Sequence, residues 1–325
     1  MSEKLLAATA WFCLLLWGCK DNYNDIQPDA TMEFAQRLSS YAIYQLPRVD
    51  LLPDSGFLEL ELNSALYSDN AHKQRLIRLP EGTNMFYDGG RLPNFPDGCM
   101  LVKTFYYPSE FANPDQGNQV IETRLMVKNE GVWNAATYLW DEDQDDAILV
   151  EDGASVNVEY VSDNGSLTSL LYQVPAQRKC AKCHQSSMEL VPLGATVRNW
   201  NREVVRDGQT VHQLVWLQAK GALNPFDVLS SPQIPDYNSQ DVSLEERTRA
   251  YLDMNCSSCH NPEGIEEAQV DGLDFRFETP LDQTGIGDHA TSILRNMEEG
   301  RMPDEGLVTV DTAGLTLIRE YVESL

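Results

Sequence analysis

The first pattern along the chain is a short apolar block. Leu5 to Trp17 is interrupted only by Thr9, follows Lys4, and gives way to polar residues over 20–30. A block of this length is shorter than the roughly 20 residues a membrane-spanning helix needs, and fits the apolar core of a secretory signal. Past the polar tether, Phe34, Leu38 and Tyr41 recur at helical spacing and predict a short helix within 31–45. From about 57 to 175 the period shortens to two. Phe57-Leu58-Glu59-Leu60-Glu61-Leu62 alternates, and the stretches 76–79, 100–107, 120–128 and 132–140 are rich in β-branched and aromatic residues. Val156, Val158 and Tyr160 alternate into Ser162-Asp163-Asn164-Gly165, a hairpin signal, and another strand runs on to Val174. Short strands separated by Gly, Pro and Asn predict an antiparallel sandwich or barrel.

After residue 176 the texture becomes helix and loop. Val211, Leu214, Val215, Leu217 and Ala222 predict one helix over 209–223, and the Pro-, Ser- and Asn-rich stretch 224–242 reads as a linker. Ser243-Leu244-Glu245-Glu246 is a capping box, so a helix should run from there to about Met254. A further helix is expected over about 290–299, stopping at Gly300. Another begins near Asp311, with Leu315, Ile318, Val322 and Leu325 on one face. The expected organisation is α+β. A signal covers 1–18, a tether and short helix 19–45, a β-rich domain 46–178, a first cofactor segment with linker 179–242, and an all-α domain 243–325.

Composition adds little to this picture, but charge and cysteines change it. With 42% apolar and 23% charged residues the chain is ordinary for a folded protein, whereas 24 basic against 50 acidic residues give a net charge of −26. That excess argues against binding nucleic acid or anionic lipid surfaces and suits a basic protein partner. The apolar block ends in Leu16-Trp17-Gly18-Cys19, which resembles the bacterial lipoprotein signal. Lipidation of Cys19 would hold the mature protein outside the cytoplasm on a bacterial membrane, the outer membrane by preference, without a spanning helix.

Cys180-Ala181-Lys182-Cys183-His184 and Cys256-Ser257-Ser258-Cys259-His260 both read Cys-x-x-Cys-His. Two thiols at this spacing can add across the two vinyl groups on one edge of a haem, and the adjacent histidine then reaches the iron from one face. A redox dithiol does not need the histidine, let alone twice. A four-cysteine zinc site usually has its pairs about 15–20 residues apart, far closer than Cys183 and Cys256. Two covalently attached haems, with His184 and His260 as proximal iron ligands, are therefore expected, and the extracytoplasmic address agrees with that chemistry. Cys13 falls in the signal, and Cys99 reads as a buried lone thiol.

The opposite axial position decides between electron transfer and small-ligand chemistry. For the second haem the candidate is Met302, in Gly300-Arg301-Met302-Pro303, with Met297 and His289 as weaker choices. The order of capped helix, haem motif, short helix, Met-Pro and terminal helix over 243–325 resembles class I cytochromes c. That resemblance implies an all-α domain with Met302 as sixth ligand. For the first haem, Met188 is only four residues past His184, a reach of at most about 14 Å, too short to pass around a porphyrin. His212 is the better candidate, and His72 and Lys103 are weaker. Asp141 to Asp146 alternates carboxylates like a calcium loop but has Asp146 where that loop needs glycine, so a solvated turn is expected.

Several stretches, in order around both haem motifs, resemble a bacterial family of secreted dihaem c-type cytochromes, whose members are often encoded beside a parallel β-helix repeat protein. They are 62–69 (LNSALYSD), 102–108 (VKTFYYP), 122–125 (ETRL), 192–195 (PLGA) and 250–256 (AYLDMNC). The resemblance runs from about 40 to 325. It implies two haems, two domains and a redox role, with the β-helix protein as a candidate partner. The family has asparagine near position 212, which weighs against His212 as a shared ligand. The leading expectation is an electron carrier serving a redox partner protein. The alternatives are a peroxidase-type enzyme with an open first iron, or a redox-sensing lipoprotein whose β domain binds a partner.

Overall fold

The computed structural model describes residues 32–186, 189–265, 268–269, 272–303 and 307–325. The proposed signal, the lipidation residue Cys19 and Met188 lie outside them. Among the described residues no helix is long and apolar enough to cross a membrane.

Six strands form one antiparallel sheet in chain order: β1 (Leu58–Glu59), β2 (His72–Arg78), β3 (Met100–Pro108), β4 (Asn118–Asn129), β5 (Val132–Trp140) and β6 (Ala147–Val150). Side chains alternate between its faces. Leu76, Val102, Leu125 and Ala136 point to one face, where Leu38, Ile43, Tyr44, Leu51 and Phe57 from the preceding segment cover them. Helical spacing in that segment gives only a short 3-10 turn, Leu38–Tyr41.

Asp146 fastens this segment to the sheet. It accepts hydrogen bonds from the Ser39 amide (3.0 Å), the Ser39 hydroxyl (2.7 Å) and the Ala147 amide (2.8 Å). Its carboxylate is thus committed to protein donors. Burial would raise the carboxyl's pKa, but these hydrogen bonds, with Arg37, outweigh burial and hold it below the ordinary aspartate value. A depressed folded-state value contributes stability above the ordinary carboxylate range, and this is lost as pH falls through the lowered value. Hydrogen exchange over 32–41 should accelerate below about pH 4, and Asp146→Ala should show the fast rate already at neutral pH.

The second face is covered in two places. At one end Ile77 and Met126 pack with Trp200, Leu214 and Leu217. At the other, the hairpin of β7 (Ala154–Val161) and β8 (Leu167–Val174), turning at 162–166 as its Asn-Gly pair predicts, sets Tyr160 and Tyr172 against Phe105 and Tyr107. Cys99 is fully buried in the first of these clusters, and burial pushes its thiol up to about 12.

The rest of the chain is short elements: α1 (Cys180–His184), the paired β9 (Gln185–Ser186) and β10 (Glu189–Leu190), α2 (Val197–Trp200), the hairpin of β11 (Glu203–Arg206) and β12 (Gln209–His212), α3 (Gln213–Ala219), α4 (Leu244–Asn255), α5 (Ile286–Glu298) and α6 (Thr312–Ser324). The single helix expected over 209–223 is therefore half strand. Asp207 and Gly208, both at positive φ (53° and 73°), make the two-residue turn that pairs 209–212 with 203–206. Ser243 does cap α4, its hydroxyl accepting from the Glu246 amide at 3.2 Å, but the reciprocal half of the box is replaced by a bond from that hydroxyl to Glu246 Oε2 at 2.7 Å.

The expected all-α class I cytochrome c-like domain over 243–325 is not found. The chain is β-rich, with an open six-stranded sheet and scattered short helices. Among the described residues between α4 and α5, and between α5 and α6, the backbone is mostly irregular and includes Pro262, Pro280 and Pro303. The region is also bound into the β part rather than separate from it. Buried Asp69 accepts from the amides of Val308 (3.0 Å) and Thr309 (2.7 Å) and from the Thr309 hydroxyl (2.7 Å). Helical periodicity identified the helices but carried no information about these ties.

α6 reaches α4 through Gly314, where an added Cβ would collide with the Tyr251 ring. Elsewhere in a helix Ala is preferred to Gly by about 1 kcal/mol. Here Gly314→Ala should instead destabilise by about 1–3 kcal/mol, as overpacking does, read as a lower urea midpoint.

Candidate haem-attachment site

The first motif is itself the helix α1. Cys180, Cys183 and His184 stand at i, i+3 and i+4, so they share one face. The second motif begins where α4 ends. Cys256 caps that helix, its amide bonding to Leu252 O at 2.9 Å, and the chain turns tightly, with the amides of Cys259 and His260 bonding back to Cys256 O at 3.2 and 3.0 Å. Asn261 locks the turn through Nδ2 to Ser257 O at 2.7 Å. In both motifs the cysteines and the histidine are half-buried.

The histidines meet the chemical requirement of an iron ligand in the same way. His184 Nδ1 lies 2.9 Å from Val191 O, and His260 Nδ1 lies 3.3 Å from Ala268 O. A carbonyl only accepts, so Nδ1 carries the proton and donates, and Nε2 keeps the lone pair an iron needs. Burial, with lesser contributions from Lys103 and Arg124, pulls His184 down to about 4, so the ring is neutral at neutral pH. The thiols and imidazoles therefore fit the group the motifs imply. Among the described residues no three or more His, Cys, Asp or Glu side chains gather as a metal cluster.

The two motifs, far apart in the chain, meet. The Cys183 and Cys259 thiols are close enough to shift each other, Cys183 up and Cys259 down. Cys259 Sγ also donates to Lys182 O at 3.8 Å, and Ser186 Oγ donates to Glu263 Oε2 at 3.1 Å. Nothing in the motif spacing announced this contact.

The other sequence candidates are dispersed. His212 precedes α3, and its Nε2 donates to Asn201 Oδ1 at 2.9 Å. Met297 is buried among Tyr251, Leu317 and Ile318, while Met302 is 41% exposed just past α5, its amide bonding to Asn296 O. His72 packs beside Tyr106 and Phe111. Asp141 to Asp146 forms the turn between β5 and β6, with Asp146 engaged as described rather than solvated.

Sequence reasoning missed a charged row next to the first motif. Arg75, Lys103 and Arg124 are direct cross-strand partners on β2, β3 and β4. Glu122 holds Arg124 through two bonds (2.9 and 2.5 Å) and accepts from Tyr172 OH at 2.7 Å. Burial pulls Arg75 down to about 10 and depresses Lys103 strongly, whereas Glu122 holds the Arg124 guanidinium up despite its burial. Lys103 and Arg124 fall on expected strands and Arg75 just before one, but register was needed to align them. Compared with known proteins, the chain matches no family model, no curated protein and no solved structure.

Proposed function

We propose that this protein is an extracytoplasmic c-type cytochrome, anchored through a lipid on Cys19, that carries electrons between two covalently attached haems and a redox partner. The observation that carries this reading is the meeting of the two motifs, with Cys259 Sγ 3.8 Å from Lys182 O and Ser186 Oγ 3.1 Å from Glu263 Oε2. Groups tethered to these two motifs start from one point, the arrangement electron passage between them needs. A haem, when bound, supplies an iron that takes up and returns one electron.

The protein's own residues do the rest. The thiols of Cys180, Cys183, Cys256 and Cys259 tether, and His184 and His260 present Nε2 with its orientation set by the Val191 and Ala268 carbonyls. Asp253 and Ser257 brace the second motif through Ser257 Oγ to Asp253 O at 2.6 Å. The net charge of −26 favours a partner with a basic docking face.

Optical and EPR spectra of the ferric protein test this reading, repeated with peroxide and, after reduction, with carbon monoxide. Two low-spin irons inert to both are expected. A high-spin iron that reacts would replace the carrier by a peroxidase-type enzyme. Met302 is the side chain the sequence offers for the remaining position on the second iron. Met302→Ala should leave both haems attached and abolish the methionine charge-transfer band, and an unchanged spectrum refutes the assignment.

A further inference from the structure

Like charges placed directly opposite on neighbouring strands repel and are normally avoided. Here three cations stand abreast, Arg75, Lys103 and Arg124, in the middle of a sheet whose protein carries a large net negative charge. The acid beside them, Glu122, is spent on Arg124 and Tyr172. Among the described residues no carboxylate forms an ion pair with Arg75 or Lys103. Among the described residues Arg75 donates from NH1 to Lys73 O on its own strand at 3.3 Å, and Lys103 Nζ lies 4.8 Å over the Phe105 ring. All three cations are half-buried, between the apolar cluster at one end of this face and the hairpin of β7 and β8 at the other. A local arrangement that costs stability without an internal partner points to an external one.

The row has a direction relative to the first motif. Gln177, three residues before the motif, donates from Nε2 to Ala135 O on β5 at 3.2 Å, so the motif sits beside β5 and the row leads away from it through Arg124 on β4, Lys103 on β3 and Arg75 on β2. With strands about 4.8 Å apart, the row spans about 10 Å, leading away from the first motif. A haem carries its thioether-forming groups on one edge and its two carboxylates on the opposite edge. We propose that the Lys103–Arg75 end of this row receives the two ionised carboxylates of the haem held by Cys180, Cys183 and His184. Arg124 stays with Glu122 near the attachment edge. This inference rests on the haem reading of the first motif and adds how that haem is oriented and charge-balanced. A carboxylate beside a cation stays ionised without favouring the ferric state, because the two charges offset each other at the iron.

The test is a spectroelectrochemical titration of the full matured protein across a range of pH, after its haem content has been counted. Lys103→Gln, and separately Arg75→Gln, should leave two haems attached but lower one of the two potentials and leave the other in place. The lowered potential should gain a pH dependence above about pH 5, where a carboxylate released from its cation takes up a proton on reduction. Lys103→Arg should restore the original behaviour, which separates loss of charge from loss of packing. If both glutamine variants keep two haems with unchanged potentials and pH profiles, the proposal falls while the dihaem reading stands. If the unchanged protein carries no covalent haem, the dihaem reading falls first. If the unchanged protein's potential moves on adding phosphate or acetate, the row takes an exogenous anion, and the haem-carboxylate assignment is overturned.

Discussion

Cys256→Ser combined with Cys259→Ser should yield a chain with one covalently bound haem instead of two, counted as haem per polypeptide after denaturing extraction. The second motif would lose both of its thioether-forming sulfurs while His260 stays hydrogen-bonded to Ala268 O and the first motif keeps its cysteines. The reciprocal pair, Cys180→Ser with Cys183→Ser, should also leave one. Because Cys183 lies against Cys259, the haem that remains should also change its potential, since it loses a charged neighbour. Two independent sites would lose one haem with no effect on the other, so the size of that shift reports how close the two attachment points are in the matured protein.

Arg198→Met should be the most destabilising single substitution outside the sheet. Arg198 is 8% exposed and clamps two acids, Asp253 Oδ1 at 2.6 Å and Glu278. Asp253 is itself only 4% exposed and sits in the last turns of α4, three residues before the second motif. Its remaining charged neighbour, Arg91, stands at 3.7 Å, with the Phe277 amide at 2.9 Å. Removing one partner of a buried pair costs about 3–5 kcal/mol when the other is left uncompensated, and with Arg91 and the Phe277 amide still beside Asp253 the loss should fall at the lower end, about 3 kcal/mol. A urea melt of Arg198→Met should show that loss as a lower midpoint. The double variant Arg198→Met with Asp253→Leu should recover a substantial part of it, because the stranded charge is gone. Equal loss in single and double variants would mean that Arg198 acts through packing rather than charge.

The legible parts of this fold were those fixed by local chemistry. The N-cap at Ser243, the Asn-Gly hairpin at 164–165 and the strands over 100–107, 120–128 and 132–140 are each specified within a few residues and form, whereas the 57–62 alternation yields only Leu58–Glu59. The misreadings have one cause. Val211, Leu214, Val215 and Leu217 satisfy helical spacing, yet the Asp207-Gly208 turn claims 209–212 for a strand. Likewise the periodicity of α4, α5 and α6 suggested a self-contained helical domain, but Asp69 binds that stretch to the β part and Arg198 binds it to α2, through partners distant in sequence.

The candidate site divides in the same way. Both Cys-x-x-Cys-His motifs could be read directly, because haem attachment demands contiguous residues. The carbonyls of Val191 and Ala268, the Cys183–Cys259 contact and the Arg75–Lys103–Arg124 row could not, because each depends on register or on the return path of the chain.

The central claim is that both motifs carry a covalent haem. Mass spectrometry of the intact, denatured protein, followed by peptide mapping, tests it most directly. The account predicts a mass higher than that of the bare polypeptide by two haems and, if Cys19 is modified, by its lipid as well. The haems should map to the peptides containing 180–184 and 256–260. A chain bearing no haem on either peptide, with its four motif cysteines free or joined as disulfides, would contradict it.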